Sequence, residues 1–380
     1  MVYLDNAATS SPKPAAVVDA VTDALTRHNA NPGRSGHALA LAAARIVLEG
    51  RERLAAMIGA NDPLSLIYAF NCTDALNLAI KGVLRRGDHV IASMAEHNSV
   101  LRVLTELSDR KQIDTTLVDT NPEGVLEPAS VEAAISPRTR LVILTQASNV
   151  TGAIQPVAEV GKICARHGII FLVDGAQMLG VMPVDVEAMG CQLYAFPGHK
   201  GLLGPQGTGG LYIRPGLSLH TLREGGTGAS SDSMRQNPDG PERYESGTLN
   251  LPGIAGMSAG AAYVAARLGG IERHERELTD HLLRGVLSTP GAVVYGPRRA
   301  QDRAGLVSFN LGNLPSGAVA DALDRAGFAV RGGLHCAPGA HTLMGTLQRG
   351  AVRASVGHAN THGEIEGFLA AIAKISREGA

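Results

Sequence analysis

The sequence predicts an α/β protein built on a mostly parallel sheet, with a smaller α+β unit formed largely by the C-terminal part of the chain. Three observations predict it. Seven short apolar runs alternate with stretches of helical spacing between residues 64 and 213, as in a parallel sheet covered by helices on both faces. After Ser246 this alternation gives way to two long helical stretches and a few short strands. Polar side chains collect just after the strand runs, where open parallel sheets bind their ligands.

In chain order, the strand runs are residues 64–70, 89–93, 115–118, 140–146, 169–173, 192–196 and 210–213. Between them, residues 75–84, 100–109, 129–135 and 157–167 carry apolar side chains at helical spacing. Residues 253–268 and 271–287 read as two longer helices, followed by strand runs at 306–311, 328–331 and 351–355. The expected division is a large unit over residues 16–250 and a small unit made of residues 1–15 with 251–380.

With 380 residues, 44% of them hydrophobic, the chain can bury a sizeable core. Its 34 basic and 35 acidic residues leave a formal charge of −1, which favours neither a nucleic-acid surface nor an anionic membrane. Its four cysteines, Cys72, Cys164, Cys191 and Cys336, include no CxxC pair and no disulfide framework, so a reducing cytoplasm is expected. The N-terminus carries no basic segment followed by an apolar run. The uncharged stretch 246–266 holds Pro252 and several glycines, and reads as a buried helix with its lead-in rather than a membrane span.

The strand ends supply the candidate chemistry. Asn71-Cys72-Thr73-Asp74 opens a helix after the first run, and Glu96-His97 follows the second. Asn149 follows 140–146, Asp174-Gly175-Ala176-Gln177 follows 169–173, and Pro197-Gly198-His199-Lys200 follows 192–196. Taken singly, each has an ordinary explanation: a turn Asp, a capping Thr, a structural His or a solvated Lys. Together, Lys200 and Asp174 are informative. A lysine amine binds an aldehyde cofactor covalently. A carboxylate on a pyridinium nitrogen keeps that nitrogen protonated, so the pair points to pyridoxal 5'-phosphate (PLP). His97 is placed to stack on the ring, and Thr73 with its helix N-terminus to hold the phosphate. The glycine-rich segment 201–210 is expected to let backbone pass close to the cofactor or a neighbouring subunit. It lacks the GK[ST] ending of a nucleotide P-loop.

These motifs, in this order, resemble the class V aminotransferase family of fold-type I PLP enzymes. Val173-Asp174-Gly175-Ala176-Gln177 and Gly198-His199-Lys200, with 26 residues from Asp174 to Lys200, carry the resemblance. Ser148-Asn149-Val150-Thr151-Gly152, Glu96-His97-Asn98 and Leu4-Asp5-Asn6-Ala7-Ala8-Thr9 extend it. Arg331-Gly332-Gly333-Leu334-His335-Cys336-Ala337 resembles the cysteine-bearing loop of group II cysteine desulfurases and selenocysteine lyases, and Val352-Arg353-Ala354-Ser355 resembles their substrate-carboxylate motif. The resemblance implies that Lys200 carries the cofactor and Asp174 pairs with the ring nitrogen. Gln177 and Asn149 would lie at the phenolic oxygen, Asn149 also near the substrate. His97 would stack on the ring and take part in catalysis. Cys72, Thr73 and His199 would contact the cofactor, the last two at its phosphate, and Arg353 would bind the substrate carboxylate. Thr248 would reach the phosphate of a partner subunit, which implies a homodimer. Cys336 would be the nucleophile, its thiolate favoured by neighbouring Arg331 and His335, while Cys72, Cys164 and Cys191, within or beside predicted elements, read as buried inert thiols.

The implied reaction converts L-cysteine to L-alanine and leaves a persulfide on Cys336. That would feed sulfur metabolism and iron–sulfur cluster assembly through a sulfur-acceptor protein. Selenocysteine lyase, C–S lyase and aminotransferase activities on the same cofactor are the alternatives, and a non-catalytic PLP-binding scaffold is a third class. Two positions depart from the family pattern. Pro197 stands where a hydroxyl residue usually contacts phosphate, and Leu334 where the loop usually has a first histidine.

Overall fold

The computed structural model describes residues 1–33, 35–228 and 232–378. Its central feature is a seven-stranded sheet. In chain order the strands are β2 (Leu66–Ala69), β3 (His89–Ser93), β4 (Asp114–Val118), β5 (Thr139–Thr145), β6 (Ile170–Asp174), β7 (Leu193–Pro197) and β8 (Gly209–Ile213); β1 (Val2–Tyr3) lies elsewhere. The spatial order is β2-β8-β7-β6-β5-β3-β4. Neighbours are parallel from β7 to β4, and only β8 runs antiparallel, against both β2 and β7. The apolar runs therefore mark real strands, displaced by one or two residues at most ends.

Successive side chains of a strand point to opposite faces, and both faces here are apolar. Val142, Leu144, Phe171 and Val173 pack on one side with α2 (Ala38–Met57), α6 (Val157–His167) and α7 (Leu251–Ala265). Leu141, Ile143, Ile170 and Leu172 pack on the other with α3 (Cys72–Val83) and α4 (Asn98–Asp109). Two further helices, α1 (Ala15–Thr26) and α5 (Pro128–Ala133), complete this part.

The C-terminal part holds a four-stranded antiparallel sheet, ordered β12-β13-β10-β9. These strands are β9 (Ala292–Tyr295), β10 (Leu306–Leu311), β12 (Arg331–Gly333) and β13 (Ala351–Ser355). The expected strand 328–331 is in fact two, because β11 (Phe328–Ala329) leaves this sheet to pair with β1. Phe309 and Val307 pack there with Leu278 and Leu282 of α8 (Leu268–Leu287), Leu323 of α9 (Ser316–Arg325) and Phe368 of the C-terminal helix His362–Glu378. The first residues touch both parts: Ser355 N donates to Leu4 O, and Ser10 N donates to His199 O.

Within the glycine-rich stretch 201–210, two positions are closely packed against backbone of this chain. A Cβ on Gly201 would lie 2.3 Å from Leu179 O, and one on Gly204 2.8 Å from Gly198 O. Stretch 246–266 ends in the buried helix α7, and no described helix is long and apolar enough to cross a membrane.

Beneath the sheet, Arg51 of α2 pairs with Glu245, their side chains 6% and 5% exposed. Glu245 also accepts from Tyr68 N, and Arg51 donates to Leu66 O. Removing one member leaves a buried charge uncompensated, so Glu245→Ala is expected to cost about 3–5 kcal/mol of stability. A denaturant midpoint equal to that of the unaltered protein would contradict this.

Candidate active site

A cleft with about 780 Å3 of empty space, part of it open to solvent, lies at the carboxyl ends of the parallel strands. Its wall is assembled from separate loops, each beginning where a strand stops. Asn71, Cys72 and Thr73 follow β2, His97 and Ser99 follow β3, and Ala147 and Asn149 follow β5. Asp174 ends β6 and is followed by Ala176 and Gln177, while Pro197 ends β7 and is followed by His199 and Lys200. Ala7 and Ala8 close one side, and Arg331, His335 and Arg353 close another. Nine of the eleven candidate residues thus share one cavity.

Asp174 is 3% exposed. Its Oδ1 accepts from Ala176 N at 3.0 Å and from the Cys72 thiol at 3.5 Å. Burial raises its pKa, while the Ala176 N–H, the Lys200 charge and the Cys72 thiol oppose that rise. Burial likewise lowers the pKa of Lys200, against the attraction of Asp174. The amine therefore gives up its proton more readily than a surface lysine. Cys72, expected as an inert thiol in contact with the cofactor, lines the cavity. Cys164 and Cys191 are buried as expected, and burial pushes both thiols up to about 12.

His97 caps α4. Its Nδ1 accepts from Ser99 N at 3.1 Å and also contacts the Ser99 hydroxyl. Accepting at Nδ1 leaves the proton of the neutral ring on Nε2. Burial and the nearby cations Lys200, Arg331 and Arg353 push its pKa down to about 4. His199 meets the Thr9 hydroxyl through Nδ1 at 3.1 Å and is pushed down to about 4 by burial and by Lys200. Gln177 Nε2 donates to Ala7 O, and Asn149 Nδ2 donates to His335 O at 2.7 Å. Thr73 is exposed at the start of α3, where Asn71 caps the helix through Asp74 N.

Arg353 is 1% exposed. One terminal nitrogen donates to Asn149 O at 2.9 Å and the other to Asp5 Oδ1 at 2.8 Å, while its Nε has no partner. The Asp5 contact, between residues 348 positions apart, has no signal in local sequence.

The Cys336 loop is tightly bent. His335 and Cys336 both adopt left-handed backbone, at φ 50° and 58°, a region that costs non-glycine residues energy. Asn98 N donates to Cys336 O at 2.7 Å. Arg331 lies with a terminal nitrogen 3.8 Å from Cys336 Sγ. His335 does not reinforce that charge, contrary to expectation. It is 3% exposed, burial and Arg353 push its pKa down to about 3, and its Nε2 bonds to Arg331 O at 3.1 Å. Cys336 itself is half-buried beside the cavity rather than in its wall. Thr248 lies on a different cavity, with Tyr68 and Asn250.

The donor set fits pyridoxal phosphate. Asp174 Oδ2 has no partner among the described residues, which leaves it for a ring nitrogen, and Lys200 stands in the same cavity for the aldehyde carbon. The α3 N-terminus with Thr73, and His199, line the same cavity and offer donors that suit a phosphate. Pro197 lines that cavity without a donor.

Buried neutral imidazoles also set an acid limit. His335 and His97 bind protons more weakly when folded, at about 3 and 4, than at the ordinary 6.5. Their contribution is full above about pH 6.5 and is lost as pH falls toward 4, by on the order of 1 kcal/mol per pH unit for each. The urea midpoint should therefore fall between pH 7 and pH 4.5, and a flat profile would refute this reading.

The family model for aminotransferase class-V matches residues 2–368. A probable cysteine desulfurase of Methanothermobacter thermautotrophicus is 39% identical over 96% of this chain and 92% of its own. An Escherichia coli cysteine desulfurase is 34% identical over 99% of this chain and 94% of its own. Among solved structures, the apo cysteine desulfurase of Thermococcus onnurineus superposes with a TM-score of 0.93 at 34% identity, covering 99% of this chain and 95% of that one.

Proposed function

The chain belongs to the aminotransferase class-V family, and on that premise we propose that it is a PLP-dependent cysteine desulfurase converting L-cysteine to L-alanine with transfer of sulfur to Cys336. The relatives of similar length point to this activity. The observation that carries it is the Cys336 thiol beside Arg331, on a loop that closes the cavity holding Lys200 and Asp174.

When bound, pyridoxal phosphate would supply an aldehyde for an amine and an electron-withdrawing ring. Asp174 would hold the ring nitrogen protonated, and the neutral His97 imidazole would pack on the ring. Thr73, His199 and the α3 N-terminus would hold the phosphate. Gln177 and Asn149 would contact the phenolic oxygen. Arg353 binds the substrate carboxylate with the N–H groups that Asp5 and Asn149 leave free. With the substrate held there, Lys200 would take the α-proton and later return it to the same carbon, a role favoured by the burial that lowers its proton affinity. The Cys336 thiolate attacks the substrate sulfur. The carbon–sulfur bond breaks with its electron pair left on carbon, the sulfur–sulfur bond forms, and a proton given up by a thiol ends on that carbon as alanine leaves. Arg331, with a terminal nitrogen 3.8 Å from the sulfur, holds Cys336 by a weak hydrogen bond.

Three finer readings belong to the same proposal. The chain acts as a homodimer in which Thr248 reaches the partner's phosphate; its place outside this chain's own site supports that. The Cys336 persulfide passes its sulfur to an acceptor protein. Residues 16–250 form the cofactor-binding unit, and residues 1–15 with 251–380 the unit that carries Cys336 and Arg353.

The test is purified protein with L-cysteine and a thiol reductant, with alanine and sulfide both measured. Equal release of the two supports desulfuration, whereas a keto acid in place of alanine would make the protein an aminotransferase. Arg353 gives a second check. A charge-assisted hydrogen bond is worth about 1.5–3 kcal/mol, so Arg353→Ala should lower kcat/KM by about 10- to 150-fold. Arg353→Lys should fall in between, because an ammonium cannot reproduce the planar fork. Unchanged kinetics in Arg353→Ala would move the carboxylate site, with Arg331 as the next candidate.

A further inference from the structure

The proposed reaction gives Cys72 no part, yet its sulfur faces the most buried carboxylate of the site. Cys72 is the first residue of α3, directly after the Asn71 cap. That position turns its side chain toward the end of β6, where Sγ lies 3.5 Å from Asp174 Oδ1. The ordinary explanation is a small apolar filler, since Cys72 also packs on the core beneath α3. The hydrogen-bond geometry around Asp174 favours more than that.

A buried carboxylate needs donors, and the two described here fall on one oxygen. Ala176 N and the Cys72 thiol both reach Oδ1. Resting on the cofactor reading above, we propose that Cys72 is a positioning residue whose S–H donates to Oδ1 of Asp174 and keeps Oδ2 turned toward the ring nitrogen. A thiol suits this task because it stays protonated: burial and the facing carboxylate hold its pKa well above the ordinary range. The same contacts make it a poor nucleophile. Sulfur chemistry is thus left to Cys336, although two thiols stand at one site. The donor also stabilises Asp174 as a carboxylate, so losing it would make Asp174 compete harder for the proton on the ring nitrogen.

The test uses apo-protein reconstituted with pyridoxal phosphate, comparing wild type with Cys72→Ala and Cys72→Ser. Two readouts are taken: the Kd for the cofactor, and the pH midpoint of its visible absorbance band. A weak S–H bond corresponds to about a two- to five-fold change in binding, so Cys72→Ala should weaken retention by that factor and shift the midpoint. Cys72→Ser keeps a donor and should restore both. Wild-type values in Cys72→Ala overturn the proposal. So does equal loss in both variants, which would mean that the volume of the side chain matters and the donor does not. A wild-type protein that binds no pyridoxal phosphate would sink the cofactor reading itself, a separate failure visible before either variant is compared.

Discussion

Lys200→Ala should lower alanine release from cysteine by at least about 10^3-fold, because it removes the covalent anchor and the group that moves the proton together. Lys200 is the only lysine in the cavity wall, and no other described side chain hydrogen-bonds its amine. Burial depresses its pKa while Asp174 pulls the other way. A neutral amine is therefore accessible in a site that still holds a compensating charge. The structural cost of the change is small, since the Lys200 side chain makes no ion pair among the described residues, and its backbone carbonyl still accepts from Leu203 N. The measurement is paired. In wild type, borohydride should fix the cofactor to the peptide containing Lys200, and in Lys200→Ala it should fix none. Label on another lysine, such as Lys13, would show that the site has been misassigned. Lys13 is a fair control, because burial lowers its pKa to about 8 and its amine reaches His199 O at 2.9 Å.

The seven-stranded sheet was legible because a strand buried on both faces must be apolar throughout, and residues 140–146 or 169–173 could be little else. Helix starts were less legible. At α3 the apolar stripe begins only at Ala75, and it was the opening Asn71-Cys72-Thr73-Asp74 that marked the start at Cys72 after the Asn71 cap. Helix α2 left no clear stripe at all. Its buried residues include Ala40 and Ala43, while Leu39, Leu41 and Leu48 are exposed, so size and hydrophobicity point away from the inward face. At the site, residues fixed to strand ends could be placed from sequence, because a strand end defines a position in space. Charge states could not. His335 reads as a cation beside Cys336, and only its burial shows that it is neutral. The contacts of Arg353 with Asp5 and of Cys72 with Asp174 join distant segments, which no local pattern encodes.

Cys336→Ala should keep cofactor binding and lose sulfur transfer, with alanine release from cysteine falling at least about 10^2-fold, the scale of losing one essential reacting group. The loop should survive the change. Its position rests on backbone contacts, from Asn98 N to Cys336 O and from Asn149 Nδ2 to His335 O, and alanine bears the left-handed φ of 58° no worse than cysteine does. The loss would then be chemical rather than structural, and an unchanged cofactor absorbance would confirm as much. What disappears is the sulfur 3.8 Å from the Arg331 guanidinium, the one half-buried thiol outside the Asp174 contact. Mass spectrometry of the wild type after brief exposure to cysteine should show one added sulfur on the Cys336 peptide and none on the Cys72 peptide. Arg331→Ala should slow that labelling, since it removes the guanidinium contact that holds the sulfur in place. If Cys336→Ala desulfurates cysteine at the wild-type rate, the nucleophile is elsewhere and the enzyme is a lyase of the same fold. If it fails with cysteine but still acts on selenocysteine, the preferred substrate is the selenium compound, because selenium leaves without a thiolate to receive it.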